Sequence, residues 1–130
     1  MKELEKVCKE LLDNADLDVE LKQETSIIRL RFATGNKNGE LVEIFFECND
    51  FHLFTVTKDP EDSESFFVGQ TIVNRIEEPK EVESLLSSQG WTFGDRQPPK
   101  TLYHIKILGS IKIEIICLTF NWHLALHQSS

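Results

Sequence analysis

A chain of 130 residues, 40% hydrophobic and 28% charged, holds enough apolar material for one packed domain spanning residues 1–130 and enough charge to keep its surface in water. Its formal net charge of −8 makes nucleic acid and anionic membrane surfaces poor partners, because phosphate binding needs clustered cations. The longest apolar stretch, IKIEIICLTF, is interrupted by Lys112 and Glu114 and falls well short of the ~20 residues of a membrane helix.

The first segment, MKELEKVCKELL, sets Leu4, Val7, Cys8, Leu11 and Leu12 on one stripe, which predicts a helix of about three turns. It lacks the apolar run of a signal peptide, so the expected location is the cytoplasm. The three cysteines, Cys8, Cys48 and Cys117, are widely spaced among apolar neighbours and have no base nearby in sequence, which reads as reduced core thiols. DNADLD then breaks the helical pattern. Asp16, Asp18 and, just beyond it, Glu20 alternate like a fragment of a calcium loop, but the sharp-turn glycine and distant bidentate glutamate are missing, so a solvated turn is expected.

SIIRLRFA and LVEIFFEC alternate apolar and charged residues, as half-buried strands do, and the link TGNKNG suits an antiparallel hairpin. Across it Arg29 and Arg31 would face Glu43, Glu47 or their neighbours, an arrangement that serves register and solubility more often than it forms a binding patch. FHLFTVT predicts a third strand folding back as a meander. The Pro- and acid-rich KDPEDSES is an exposed loop, and FFVGQTIVNRIEE a fourth strand with a bend at Gly69. Pro79 opens a second, surface helix that Gly90 ends, with Val82, Leu85 and Leu86 as its narrow apolar stripe. WTFGDRQPPK is irregular.

In LYHIKILGSIKIEII a two-residue turn would mix charge into the core, whereas a three-residue loop, Leu108–Ser110, pairs Tyr103 with Ile115, Ile105 with Ile113 and Ile107 with Ile111 on one face. His104 then lies beside Glu114 on the other. Beyond Cys117 the apolar residues Leu118, Phe120, Trp122, Leu124 and Leu126 recur with period two, which favours a strand over a short helix capped by Asn121. His123 and His127 would then stand ~13 Å apart along the strand, too far to share one metal ion. The core phase changes from odd to even positions near Ile116–Leu118, which calls for a bulge or bend.

The expected fold is therefore α+β: a mostly antiparallel sheet of six to seven strands with an N-terminal helix and a short second helix packed on it. Strands are expected near residues 26–33, 40–48, 51–57, 66–76, 102–108 and 111–119, the last extending to 126. No phosphate loop, nucleophile elbow, paired cysteines or histidine-rich metal pattern is present, so the sequence offers catalysis no motif and implies no cofactor or metal. Two functions remain. One is a non-enzymatic protein-interaction module, of inhibitor or immunity type, that meets a basic partner through its acids. These concentrate between residues 40 and 65, where eight acids face one lysine, above all at Asp59, Glu61, Asp62 and Glu64. The other is a ligand-binding or enzymatic pocket between a curved sheet and the first helix, formed by His52, Tyr103, His104 and Glu114 with Trp91 and Trp122 as apolar walls.

Overall fold

A computed structural model describes residues 2–10, 12, 15–35, 39–58, 68–90 and 97–127. The elements are α1 (Lys2–Glu10), β1 (Asp16–Lys22), β2 (Ile27–Gly35), β3 (Leu41–Lys58), β4 (Val68–Ile76), α2 (Pro79–Ser88), β5 (Leu102–Gly109) and β6 (Ile111–His127), with a 3-10 turn at Gln23–Thr25. The strands form one antiparallel sheet in the order β1-β2-β3-β6-β5-β4, so the fold is α+β, with six strands and two helices among the described residues.

β3 and β6 are 18 and 17 residues long and pair along their whole length, from Leu41–His127 to Lys58–Ile111. β2 and β1 hang on one edge of this ribbon at residues 41–49 of β3, and β5 and β4 on the other edge at residues 113–117 of β6. The two half-sheets curl toward each other. The Val68 N–H donates to the Ala15 carbonyl at 3.0 Å, joining the starts of the two outermost strands at one end of a rolled sheet.

Inside the roll, alternate residues of every strand make one core. Leu17, Ile28, Leu30, Phe32, Val42, Ile44, Phe46, Val73, Ile105, Ile107, Ile113 and Ile115 are buried there with Leu4 of α1, and Phe32 and Phe46 meet edge-on at 4.9 Å. α1 closes it because Leu4, Val7 and Cys8 lie on one face. α2 covers part of the outside: Val82 and Leu86 are buried against Leu102 and Ile116, with Leu53, Ile76, Leu85 and Leu118 around them. Its first turn begins at Pro79 as expected, and Gly90 follows its end at φ 85°.

The last strand does change phase, but one step later than expected: Leu118 faces outward with Ile116 against α2 and does not join Phe120 and Trp122 inside, and both ribbon strands share the change. Between the pairs Asn49–Thr119 and Phe51–Cys117 the inward positions change from Phe46, Cys48, Phe120 and Trp122 to Phe51, Cys117 and Ile115. Asp50 sits at that step in a left-handed conformation, φ 53°, its N–H bonded to Ser26 O at 2.9 Å. A bulge between Phe51 and Leu53 then returns β3 to its former phase, with Phe54 inward.

Three expectations need correction. The stretch from Asp16 is an edge strand and not a turn: Leu17 is buried, and Asp18 and Glu20 take the solvent side of a period-two pattern. Residues 40–48 and 51–57 form one bent strand instead of two strands of a meander, because β6 is long enough to pair with both halves. The last hairpin has the expected parity, so the isoleucines do face inward, but it is shifted by two residues to Ile107–Ile113, Ile105–Ile115 and Tyr103–Cys117. The 111–126 strand and the break at Gly69, where the β4–β5 register shifts, are as expected.

Two substitutions test this geometry. A Cβ on Gly69 would lie 2.9 Å from Leu108 O, so Gly69→Ala is expected to lower unfolding free energy by about 1–3 kcal/mol. Asp50→Gly should be tolerated whereas Asp50→Val should cost about 1–2 kcal/mol, both read by urea denaturation.

Candidate functional site

The half-sheet β1-β2-β3-β6 turns its second face to the outside, and the register sets which residues meet there. One row runs Asp18, Arg31, Phe45, His123, and the next Glu20, Arg29, Glu47, Asn121. Each strand alternates, so the residues that fill the core fix these outward neighbours without further choice.

The ion pairs cross the ladder. Arg29 Nε donates to Glu47 Oε2 at 3.2 Å, Arg31 Nη1 to Asp18 Oδ2 at 3.0 Å, and Arg31 Nε to Glu43 Oε2. The Glu43 hydrogen bond is the main reason that the Arg31 pKa is raised above its ordinary value. Beside Arg31 the rings of Phe45 and His123 stack, with centroids 4.7 Å apart and planes at 14°. Asp18, Glu20, Arg29, Arg31, Phe45, Glu47 and His123 wall a concavity of about 440 Å³. Three carboxylates and two guanidiniums thus surround an aromatic pair on an open sheet face. Such a surface can hold a cationic side chain against rings and carboxylates. The expectation that Arg29 and Arg31 pair across the hairpin with Glu43 and Glu47 is met; that the same residues also wall a concavity depends on β1 and β6, which bring in Asp18, Glu20 and His123.

His104 and Glu114 do come together: with Nε2 protonated, His104 donates to Glu114 Oε2 at 2.7 Å. The contact is diagonal, since Lys106 is opposite Glu114 and His104 opposite Ile116. Tyr103 lies on the other face, against the inner core and 5.7 Å from the Phe120 ring. His52 lies at the bulge of β3. A groove does run between the sheet and the first helix, but it is lined by Leu4, Glu5, Cys8, Lys9 and residues 69–74, so none of His52, Tyr103, His104 and Glu114 borders it. Trp122 packs partly buried against the inner core. Asp59, Glu61, Asp62, Glu64 and Trp91 lie outside the described residues.

His123 and His127 lie on β6 with Phe45 and Leu41 as their partners, four residues apart on an extended strand. Cys48 and Cys117 are fully buried, and the Cys48 thiol is held far above the usual thiol range, first by a hydrogen bond with Cys117 and then by burial. Burial, aided by Glu5, pushes the Cys8 thiol up to about 11. Among the described residues no group of three His, Cys, Asp or Glu side chains is placed to hold a metal ion, and no helix is long and apolar enough to cross a membrane.

A scan against protein-family models finds no match for this chain, and a search of curated proteins finds none.

Thiol reactivity should follow these environments. In the native state a maleimide is expected to label Cys8 alone, at a rate that keeps rising with pH up to about 11, while Cys48 and Cys117 react only after unfolding, as read by mass spectrometry. Because the folded-state pKa of Cys8 is raised, the stability tied to its neutral thiol is present at neutral pH and lost as pH climbs through about 11.

Proposed function

We propose that this protein is a non-enzymatic interaction module that binds a basic partner protein through the outer face of β1, β2, β3 and β6. The observation that carries this reading is the concavity around Phe45 and His123, where Asp18, Glu20 and Glu47 outnumber Arg29 and Arg31. Arg29 pairs with Glu47, Lys22 lies 3.7 Å from Glu20, and Arg31 serves both Asp18 and Glu43, so four carboxylates meet three cations and the face keeps a negative balance that favours a cationic group over an anionic one. The rings give an incoming lysine or arginine an apolar and cation-attracting surface. The overall charge of −8 acts in the same direction at long range by steering a basic protein toward the face. The acids Asp59, Glu61, Asp62 and Glu64, which follow β3 in sequence, are among those that make up this charge.

The test is a pull-down from the native cell with wild type, Asp18→Asn/Glu20→Gln/Glu47→Gln, and Glu61→Ser/Asp62→Ser/Glu64→Ser side by side. Basic partners recovered with wild type should be depleted at least fivefold with the first variant and to a lesser degree with the second. Raising salt should slow association much more than dissociation, because exposed charges are screened beyond ~8–10 Å. Equal recovery by all three proteins would remove the acidic face from the reading. A small molecule that stays with the purified protein would replace the proposal with a ligand pocket.

A further inference from the structure

The two outer edges of the sheet differ in a way that the interaction face does not use. β1, DLDVELK, carries Asp16, Asp18, Glu20 and Lys22 along its seven residues, the usual protection of an exposed edge against pairing with another chain. β4, VGQTIVNRI, carries one charge, Arg75, in nine residues, and its stretch 69–74 has none. β4 is last in the strand order, so one side of its backbone has no strand partner among the described residues. Val68, at the start of the strand, makes the backbone bond on that side, to Ala15.

This uncharged edge lies in a groove of about 290 Å³. Its second wall is one face of α1, formed by Leu4, Glu5, Cys8 and Lys9. Thr71, at 7% exposure, lines the groove and its buried Oγ1 has no hydrogen-bond partner among the described residues.

We propose that the α1–β4 groove receives an extended segment of another polypeptide, which adds to the sheet as a seventh strand beside β4. The N–H and C=O groups that residues 69–74 turn away from β5 have no backbone partner among the described residues, and an extended backbone offers the same groups at a strand's spacing. Alternate side chains of that segment point into the roll's side, toward Leu4 and Cys8, and out toward Gln70 and Asn74. The occupant is therefore an extended segment with an apolar residue at every second position, facing Leu4 and Cys8. A second copy pairing through its own β4 fits less well, since each copy's α1 walls the edge that the other must approach. The Thr71 hydroxyl gains a partner from the added strand.

The experiment selects a displayed random heptapeptide library on the wild-type protein with counter-selection on Gln70→Lys/Ile72→Lys, which puts on β4 the kind of charge that guards β1. Melting temperatures of the two proteins are compared first, and Gln70→Lys alone replaces the double variant if the latter is less stable. The expected result is enrichment of period-two apolar sequences that bind the guarded variant at least tenfold more weakly and slow amide exchange at residues 69–74. Three results would overturn the proposal: no enrichment over the variant, protection confined to other strands such as β1 and β2, or a wild-type dimer in sedimentation that the same substitution dissolves. Failure here leaves the outer acidic face untouched, since Asp18, Glu20 and Glu47 lie on other strands.

Discussion

The rest of the structure depends on the pairing of β3 with β6. This ribbon belongs to both halves of the molecule: β2 and β1 extend it on one edge near one end, and β5 and β4 on the other edge near the other end. Were the ribbon straight, the two half-sheets would face away from a common core. The step at Asp50, where both strands exchange inward and outward sides, and the bulge at Phe51–Leu53 let the apolar sides of all six strands converge. The bond from Val68 to Ala15 and the apolar face of α1 then close what the bend begins.

The same ribbon divides the outside of the roll. Over one half, Leu53, Leu102, Ile116 and Leu118 form an apolar surface, and α2 buries it with Val82 and Leu86. Over the other half the outward rows are charged or aromatic, and no helix among the described residues covers them. The change of phase at Asp50 produces this difference, because it decides which set of alternating side chains each half presents.

Charge follows strand order. The sequence runs from an acidic start through a short basic stretch with Arg29 and Arg31 to an acidic stretch, and the sheet sets these side by side as β1, β2 and β3. Each arginine thereby meets carboxylates, Arg31 from both sides through Asp18 and Glu43. The exposed pairs, Arg29–Glu47 and Arg31–Asp18, add little stability, about 0–1 kcal/mol each, so their main effect is on register and on the field of the face.

Local pattern was enough for much of this. Period-two alternation and a one-residue parity argument are consequences of where a strand's side chains must point, and they identified the inward isoleucines of β5 and β6, the strand character of Leu118–Leu126 and the existence of a change of phase near Ile116–Leu118, though not that Leu118 itself faces outward. Periodicity and a proline likewise marked α1 and α2. The sequence failed where the deciding interaction was distant. DNADLD has the composition of a turn, and the short alternation of Leu17, Val19 and Leu21 with acids that overlaps it becomes a strand where β2 offers an edge and Arg31 a partner for Asp18. The break at Asn49–Asp50 looks like a turn between two strands, yet β6 pairs across it and carries the chain on. The stacking of Phe45 on His123, far apart in sequence, and the concavity around them arise from register between strands that no local pattern links. Sequence alone therefore determined which side chains share a face, a property of backbone geometry within one element. Which faces meet, which edges stay open and which charges become neighbours were decided by tertiary structure, because each depends on the partner that a strand finds.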